Sequence, residues 1–476
     1  MTRLGAAVLL GTLIIGGPVA GSPTSQTSPA DRTADLRNPV VHAIPDSYIV
    51  VFKDEVSRPD AAAKEMARRH GLSLDHVYTR ALKGFAAKMP ARAIPQLRDD
   101  PRVDFISPDL ALEADGADAL VSGDSVPTGV RRVVAATAST AHQPSNVAVA
   151  VLDTGVDLAH PDLNAVSGTD CTAKKRGSLA HDDNGHGSHV AGIIGSRNNG
   201  SGAVGVAPDT LIYSVKVLNS SGSGTTAQAI CGIDWVTQNA PSLNIKVANM
   251  SLGGFGPLND NNCGKTNGDP LHQAVCKSTA AGVTYVVSAG NRSVDFGQVS
   301  GYSYLPAAYQ EVLTVTAMAD SDGAAGGIGG ITTCATVADD DTNAGFSNFA
   351  VAPREVSHTI AGPGVCIRST VPTGSCALCD PSGYRTLSGT SMAAPHLTGT
   401  VALCLGNGGP PGACAGLAPS QVVTRLLADA ASHSNADLSY GFTGDPDHCA
   451  VWSGRGANAQ CIQTGFYGYL GWAGAY

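Results

Sequence analysis

Charge is scarce in this chain: Lys, Arg, Asp and Glu make up 14% of its 476 residues, 30 basic against 39 acidic. So modest an acidic excess builds no continuous basic surface, and no nucleic-acid partner is expected. Long apolar runs are missing as well. The one near the N-terminus, Leu4 to Ile15, falls well short of the roughly 20 residues that cross a bilayer, and no later segment is long and apolar enough, so no membrane span is expected. No cysteine precedes Cys171, and all 12 lie from there to Cys461. An even number confined to one part of the chain predicts disulfides formed in an oxidising compartment. Cys376 and Cys379 form a C-x-x-C, but no second one follows, which argues against zinc or redox chemistry. Proximity suggests Cys263 with Cys276, Cys404 with Cys414 and Cys449 with Cys461, although sequence leaves the connectivity open.

What is present divides the chain. Arg3, the apolar run and the small residues Val19-Ala20-Gly21-Ser22 read as a secretory signal over residues 1–22. Residues 23–45, rich in Ser, Thr and Pro, have little to bury and read as a disordered spacer. The full length exceeds what one core organises, so two folded units are expected. The first, 46–113, shows a strand Tyr48–Phe52, a helix Ala61–His70 capped by Asp60 and stopped by Gly71, a strand Gly84–Met89, a short helix Arg92–Arg98 and a strand Val103–Ile106. That order predicts a small ferredoxin-like α+β domain. Residues 114–127, mostly Ala, Asp, Gly and Ser, read as an exposed link open to proteolysis. From 128 to 476 the apolar runs Val147–Leu152, Leu211–Leu218, Ile245–Met250, Val283–Ser288 and Val312–Thr316 alternate with helical stretches such as Thr225–Gln238 and Leu271–Ala281. Such runs imply strands buried on both faces, hence an α/β fold with a mainly parallel central sheet and helices on both sides. Gly323 to Gly330, with Asp339-Asp340-Asp341 after it, reads as a surface loop, and no internal repeat is found.

Four residues could do chemistry. Asp153 follows an apolar run and precedes Thr154-Gly155, which puts it at the carboxyl end of a strand, where open α/β sheets keep their sites. Aspartic peptidases carry the same tripeptide but need two such carboxylates, and no second Asp-Thr-Gly or Asp-Ser-Gly exists here. His186, in Asn184-Gly185-His186-Gly187-Ser188-His189, stands where glycines allow close backbone approach and a helix begins, as suits a general base with a fixed ring. Zinc could use His186 and His189, yet no Glu completes an H-E-x-x-H. Ser391, in Ser388-Gly389-Thr390-Ser391-Met392-Ala393, opens an apolar helix reaching Leu405. A helix start is an ordinary cap position, but it also turns the serine's own N–H outward with the positive end of the helix dipole, as an oxyanion requires. Asn291, after the strand Thr284–Ser288, carries an amide that could be a second donor.

In the order Asp, His, Asn, Ser, these segments resemble the subtilisin-like serine peptidases, the subtilases, with the proteinase K branch favoured by length and cysteine content. The resemblance runs from about Thr128 to the C-terminus. The unit before it resembles the family's inhibitory propeptide through Tyr48-Ile49-Val50-Val51-Phe52-Lys53, Gly84-Phe85 and Val103 to Pro108. The resemblance implies that Ser391 attacks a peptide carbonyl, His186 takes and returns the proton, Asp153 orients His186, and Asn291 with the Ser391 amide holds the oxyanion. It implies a secreted, monomeric endopeptidase of broad specificity, made as a self-processing precursor. Its partners would be protein and peptide substrates and its own propeptide, which serves as inhibitor and folding aid.

Ser251-Leu252-Gly253-Gly254 and Gly222-Ser223-Gly224 would pair with substrate backbone from two sides. Ala289 and Gly290 would line the main pocket, Arg292 would stand at its rim and disfavour a basic residue, and Leu110 to Leu120 would lie in the cleft like product. Calcium is the structural cofactor the resemblance implies, held by Asp162 and Asn199 beside the loop Arg197–Gly205, with no catalytic metal. At a second calcium position, that of proteinase K, Thr359 stands where an aspartate belongs. Asp320-Ser321-Asp322-Gly323 is a fragment of a calcium pattern and reads as a turn.

Overall fold

The computed structural model describes residues 43–476 except 115–126, 137–141, 143, 174–176, 200–201, 333, 335, 337, 407–411, 437–439, 441, 443–447, 454–459 and 475. Its N-terminal elements are β1 (Ala43–Phe52), α1 (Pro59–His70), β2 (Ser73–Tyr78), β3 (Gly84–Lys88), α2 (Ile94–Arg98) and β4 (Val103–Ala114). β1 lies between β3 and β4, antiparallel to both, and β2 adds outside β3. Val50, Phe52, Phe85 and Ala87 face Ala62, Ala63 and Met66 of α1 in a small core. Ile49, Val51 and Ala86 point the opposite way, into the core of the larger part, because successive strand residues alternate faces.

α1 begins at Pro59 rather than Ala61. Proline takes the first helical positions, where its missing N–H costs nothing, so Asp60 sits inside the first turn and is not the cap. Gly71, at φ 66°, ends the helix as expected. β4 runs to Ala114 instead of stopping at Ile106, and its last residues leave the small sheet altogether. The expected signal, nearly all of the spacer and most of the link lie outside the described residues.

The larger part follows in the order α3 (Thr128–Arg132), β5 (Ala148–Asp153), β6 (Ala165–Asp170), α4 (His186–Gly195), β7 (Ile212–Lys216), β8 (Ser223–Thr225), α5 (Thr226–Leu243), β9 (Ile245–Met250) and β10 (Leu252–Pro257). Then come α6 (Pro270–Ala280), β11 (Thr284–Ser288), β12 (Tyr302–Leu305), β13 (Val312–Ala319), β14 (Thr342–Asn343), β15 (Thr359–Pro363), β16 (Ile367–Thr370), β17 (Tyr384–Leu387), α7 (Thr390–Leu405) and α8 (Pro419–Ala436). Strands β6, β7, β5, β9, β11, β13 and β15 lie side by side in that order, all parallel. From β5 the chain moves out to one side through β6 and β7, and to the other through β9, β11 and β13. Sites form in the crevice outside the strand ends at such a reversal. α4 is buried along its whole length and α7 from Thr390 to Cys404, so these two helices run through the core and not over it.

Cys263–Cys276 and Cys404–Cys414 are joined as proximity suggests, along with Cys171–Cys231, Cys334–Cys366 and Cys376–Cys379. The Cys449 side chain lies outside the described residues. The glycine-rich segment from Gly323 to Gly330 is largely exposed, as a surface loop should be, but acids flanking it are not. Asp320, Asp340 and Asp341 are buried, and Arg132 of α3 donates to Asp341 at 2.8 Å. Burial beside its neighbours pushes the Asp320 carboxyl up to about 7. No described helix is long and apolar enough to cross a membrane.

Candidate active site

All six residues of β5 are buried, and Asp153 is the last of them. His186 is the first residue of α4. Its Nδ1 lies 2.8 Å from Asp153 Oδ1, and both side chains are shielded from water. A carboxylate can only accept here, so Nδ1 carries the hydrogen and Nε2 is the basic nitrogen. The approach depends on Gly187, where an added Cβ would lie 2.1 Å from the Gly155 carbonyl oxygen. Two other histidines stand near these positions in the chain, His189 after His186 and His396 after Ser391. Burial holds His189 at about 3 and His396 at about 4, so both stay neutral near pH 7.

Asp182, which the sequence did not single out, ties the two turns together. Its Oδ1 accepts from Thr154 Oγ1 and from the N–H groups of Asn184 and Gly185, and its Oδ2 from the N–H and Oγ of Ser188. The only local sign of this was a second acid beside Asp183, four residues before His186. Lys216 supports the same region, donating to the Thr154 carbonyl at 2.5 Å and to Asp183 at 2.6 Å.

Ser391 lies in the first turn of α7, where amide N–H groups precede the helix's own ladder. Helices α4 and α7 pack on each other, which brings the turns of His186 and Ser391 to the same end of the sheet. Ser391 Oγ donates to the Ser251 carbonyl at 3.3 Å, and Ser251 Oγ donates back to the Ser391 carbonyl at 2.9 Å. Asn249 of β9 donates to Ser251 Oγ and accepts from Thr398 of α7. The Asn291 side chain is oriented by Thr390, whose N–H and Oγ1 both donate to its Oδ1, at 2.9 and 2.8 Å. That assigns Nδ2 as the donor end of the amide.

Asn348 was also missed. It is fully buried and donates to the Ala289 carbonyl, while its Oδ1 accepts from the N–H groups of Arg292 and Val294. Its sequence signal was a lone amide between Phe346 and Phe349. Gly290, at φ 98°, could carry no side chain, since a Cβ would lie 2.4 Å from Asn348 Nδ2. The guanidinium of the exposed Arg292 leans over the Phe255 ring, 5.8 Å from its centre.

The end of β4 lies between β8 and β10 as the middle of three antiparallel strands. Ala111, Leu112 and Glu113 face Thr225, Gly224 and Ser223, while Glu113 and Ala114 face Gly253 and Leu252. The N-terminal unit is anchored on α5. Asp109 accepts from Ala227 N–H at the helix start and from Ser47 Oγ, and burial pushes its carboxyl up to about 6. Asp234, on the helix, accepts from the N–H groups of Arg80 and Ala81.

Asp162 is buried, and burial raises its pKa. Asn199 Nδ2 lies 3.0 Å from its Oδ1, while Ala203 N–H and the Tyr384 hydroxyl reach its Oδ2. The Asp162 carboxylate, the Asn199 side-chain oxygen and the carbonyls of the neighbouring loop are oxygen donors of the kind that fit calcium. Asp320, Asp322 and Asp340 also bring carboxylate oxygens within 4.8 Å of one another.

Residues 144–443 match the profile of the "Subtilase family" and residues 47–115 that of "Peptidase inhibitor I9". Subtilisin E of Bacillus subtilis (strain 168) is 33% identical over 361 residues, covering 75% of this chain and 80% of that one. An "Extracellular serine proteinase" of Thermus sp. (strain Rt41A) is 33% identical over 432 residues, 85% of this chain and 90% of that one. "Alkaline serine exoprotease A" of Vibrio alginolyticus is 31% identical over 442 residues, 88% of this chain and 70% of that one.

Proposed function

The chain belongs to the subtilase family of serine endopeptidases, and from that premise we propose that it is a secreted, self-processing enzyme that cuts proteins broadly through Asp153, His186 and Ser391. Ser391 Oγ attacks the peptide carbonyl while His186 Nε2 takes its proton. The bond from His186 Nδ1–H to Asp153 keeps Nε2 basic and steadies the imidazolium that results. Asn291 Nδ2 and the Ser391 N–H stabilise the oxyanion. Collapse expels the amine, which carries away the proton held by His186, and water then releases the acyl group by the same route.

The observation that carries this reading is the end of β4 lying between β8 and β10 and stopping beside Ser251, the partner of Ser391. We take the maturation cut to fall in the link that follows this strand. On this reading residues 46–113 are the inhibitory propeptide, 114–127 the processed link and 128–476 the catalytic domain. Ala289 and Gly290 would line the main pocket, and the exposed Arg292 at its rim would disfavour a basic residue before the cut. The names of the relatives, extracellular in one case, support secretion. Calcium, the family's structural ion, would be held by Asp162 and Asn199 with carbonyls of the loop that follows.

The test follows the full precursor and its Ser391→Ala variant by intact mass, alongside hydrolysis of casein and of matched Lys and Glu peptides. Wild type is expected to shed about its first 110 to 125 residues, digest casein and prefer Glu over Lys before the cut, while the variant stays whole and inert. Two full-length, inert proteins would defeat the reading.

A further inference from the structure

The tip of the hairpin formed by β16 and β17 is closed by Cys376–Cys379 and has no part in the steps above. It lies against the turn that carries His186. Leu378 N–H donates to the Asn184 carbonyl at 2.8 Å, and Cys376 Sγ rests 3.1 Å from the same oxygen. A Cβ on Gly185 would lie 2.8 Å from Leu378 Cβ, so the tip and the turn touch directly. Asp380 N–H secures the tip from behind through the Pro372 carbonyl at 3.1 Å. Ala377 is exposed and Leu378 half-buried.

The register of β4 shows where a substrate goes next. β8 begins after a tight turn, with Gly222 N–H donating to the Asn219 carbonyl and Leu218 bridged to Gly224, so an extended chain antiparallel to β8, with Glu113 opposite Ser223, runs on toward the tip of that turn at Ser220. The Ser220 carbonyl accepts from Asn184 Nδ2 at 3.0 Å. The part of a substrate beyond the cut therefore leaves along Asn184 and Gly185, and its amine must pass His186 to collect a proton. Charged side chains along this path are already engaged. Asp183 is paired with Lys216, Asp380 accepts from the N–H and Oγ of Ser382, and Arg385 Nη1 reaches the Ala377 and Cys379 carbonyls at 3.5 Å.

We propose that the disulfide-closed tip 376–379 is the wall of the leaving-group side of the cleft, and that Ala377 and Leu378 make the enzyme favour an apolar over a charged residue directly after the scissile bond. This rests on the peptidase reading above. The disulfide holds Leu378 against Asn184 and thereby fixes where the wall stands.

The experiment forms the acyl-enzyme of the matured protein from a peptide methyl ester and lets leucinamide and argininamide compete for it. In each transfer the amine nitrogen bonds to the acyl carbon, the bond to Ser391 Oγ breaks, and the amine's proton passes through His186 to Ser391. Leucinamide is expected to win by about tenfold, the scale of one good apolar contact. Ala377→Glu is expected to shift the ratio toward argininamide by a similar factor. The double change Cys376→Ser with Cys379→Ser is expected to bring it near one. Because both amines draw on one acyl-enzyme, the ratio does not depend on how much of each variant folds. An unchanged ratio in Ala377→Glu overturns the proposal and leaves the peptidase reading standing. A wild type that forms no acyl-enzyme from the ester overturns that reading, and this proposal with it.

Discussion

Asp182 gathers donors from the Asp153 side through Thr154 and from the His186 side through Asn184, Gly185 and Ser188. It touches no reacting atom and so acts as a positioning residue. Asp182→Asn keeps one acceptor oxygen but turns an NH2 against the donors of Ser188 or of the turn. A small misplacement of catalytic groups can cost about 100-fold, so kcat is expected to fall by about that factor with KM little changed. The acid limb of the kcat/KM profile, set by His186, is expected to move. A merely structural role would lower the yield of folded enzyme and leave that limb in place. Asp153, His186, Asn291 and Ser391 stood out as candidates in the sequence because each sits in a short motif at the end of a strand or the start of a helix. Asp182 and Asn348 were not, because their meaning lies in partners distant along the chain.

At the scale of elements, α5 is held by carboxylates on both sides of an interface: Asp109 at its start and its own Asp234 on the N-terminal unit. Asp109 rises from an ordinary value near 4 to about 6 when docked. The docked state therefore binds a proton more readily than the free one. The stability this contributes is fully present below about pH 4 and is lost as pH climbs through about 6. In the uncut Ser391→Ala precursor, thermal unfolding from pH 4 to 7 is expected to show wild-type Asp109 losing ground to Asp109→Asn. Parallel curves for the two would refute this. Element boundaries were legible where burial is uniform, as in β9, which spans the apolar run Ile245–Met250 unchanged. β2 and β6 carry mixed, half-exposed residues and gave no run to read. The end of β4 is a strand only because β8 and β10 supply its partners, which no local pattern announces.

For the whole molecule, a cation at Asp162 and Asn199 would add to folding stability by mass action, about 2.7 kcal/mol when free calcium is a hundredfold above its dissociation constant. Chelation is expected to lower the melting temperature of the wild type and to leave that of Asp162→Asn unmoved. An equal drop in both would place the ion elsewhere, with Asp320, Asp322 and Asp340 the next group to examine. The α/β class and the order of the two parts were legible from buried runs and length. That the chain from Leu110 would reach the cleft came from the resemblance, but not that it continues the small sheet's strand from Val103.

That shared strand has a kinetic consequence. Cutting after β4 breaks one covalent bond and none of the hydrogen bonds that hold β4 to β1, β8 and β10. On the self-processing reading, a freshly cut molecule would still be blocked until its plug drifts out. The first molecule to lose its plug could then destroy those of its neighbours, and activity would spread through a population like an infection. Onset should be sigmoidal, with a delay that a trace of finished enzyme, added as seed, abolishes.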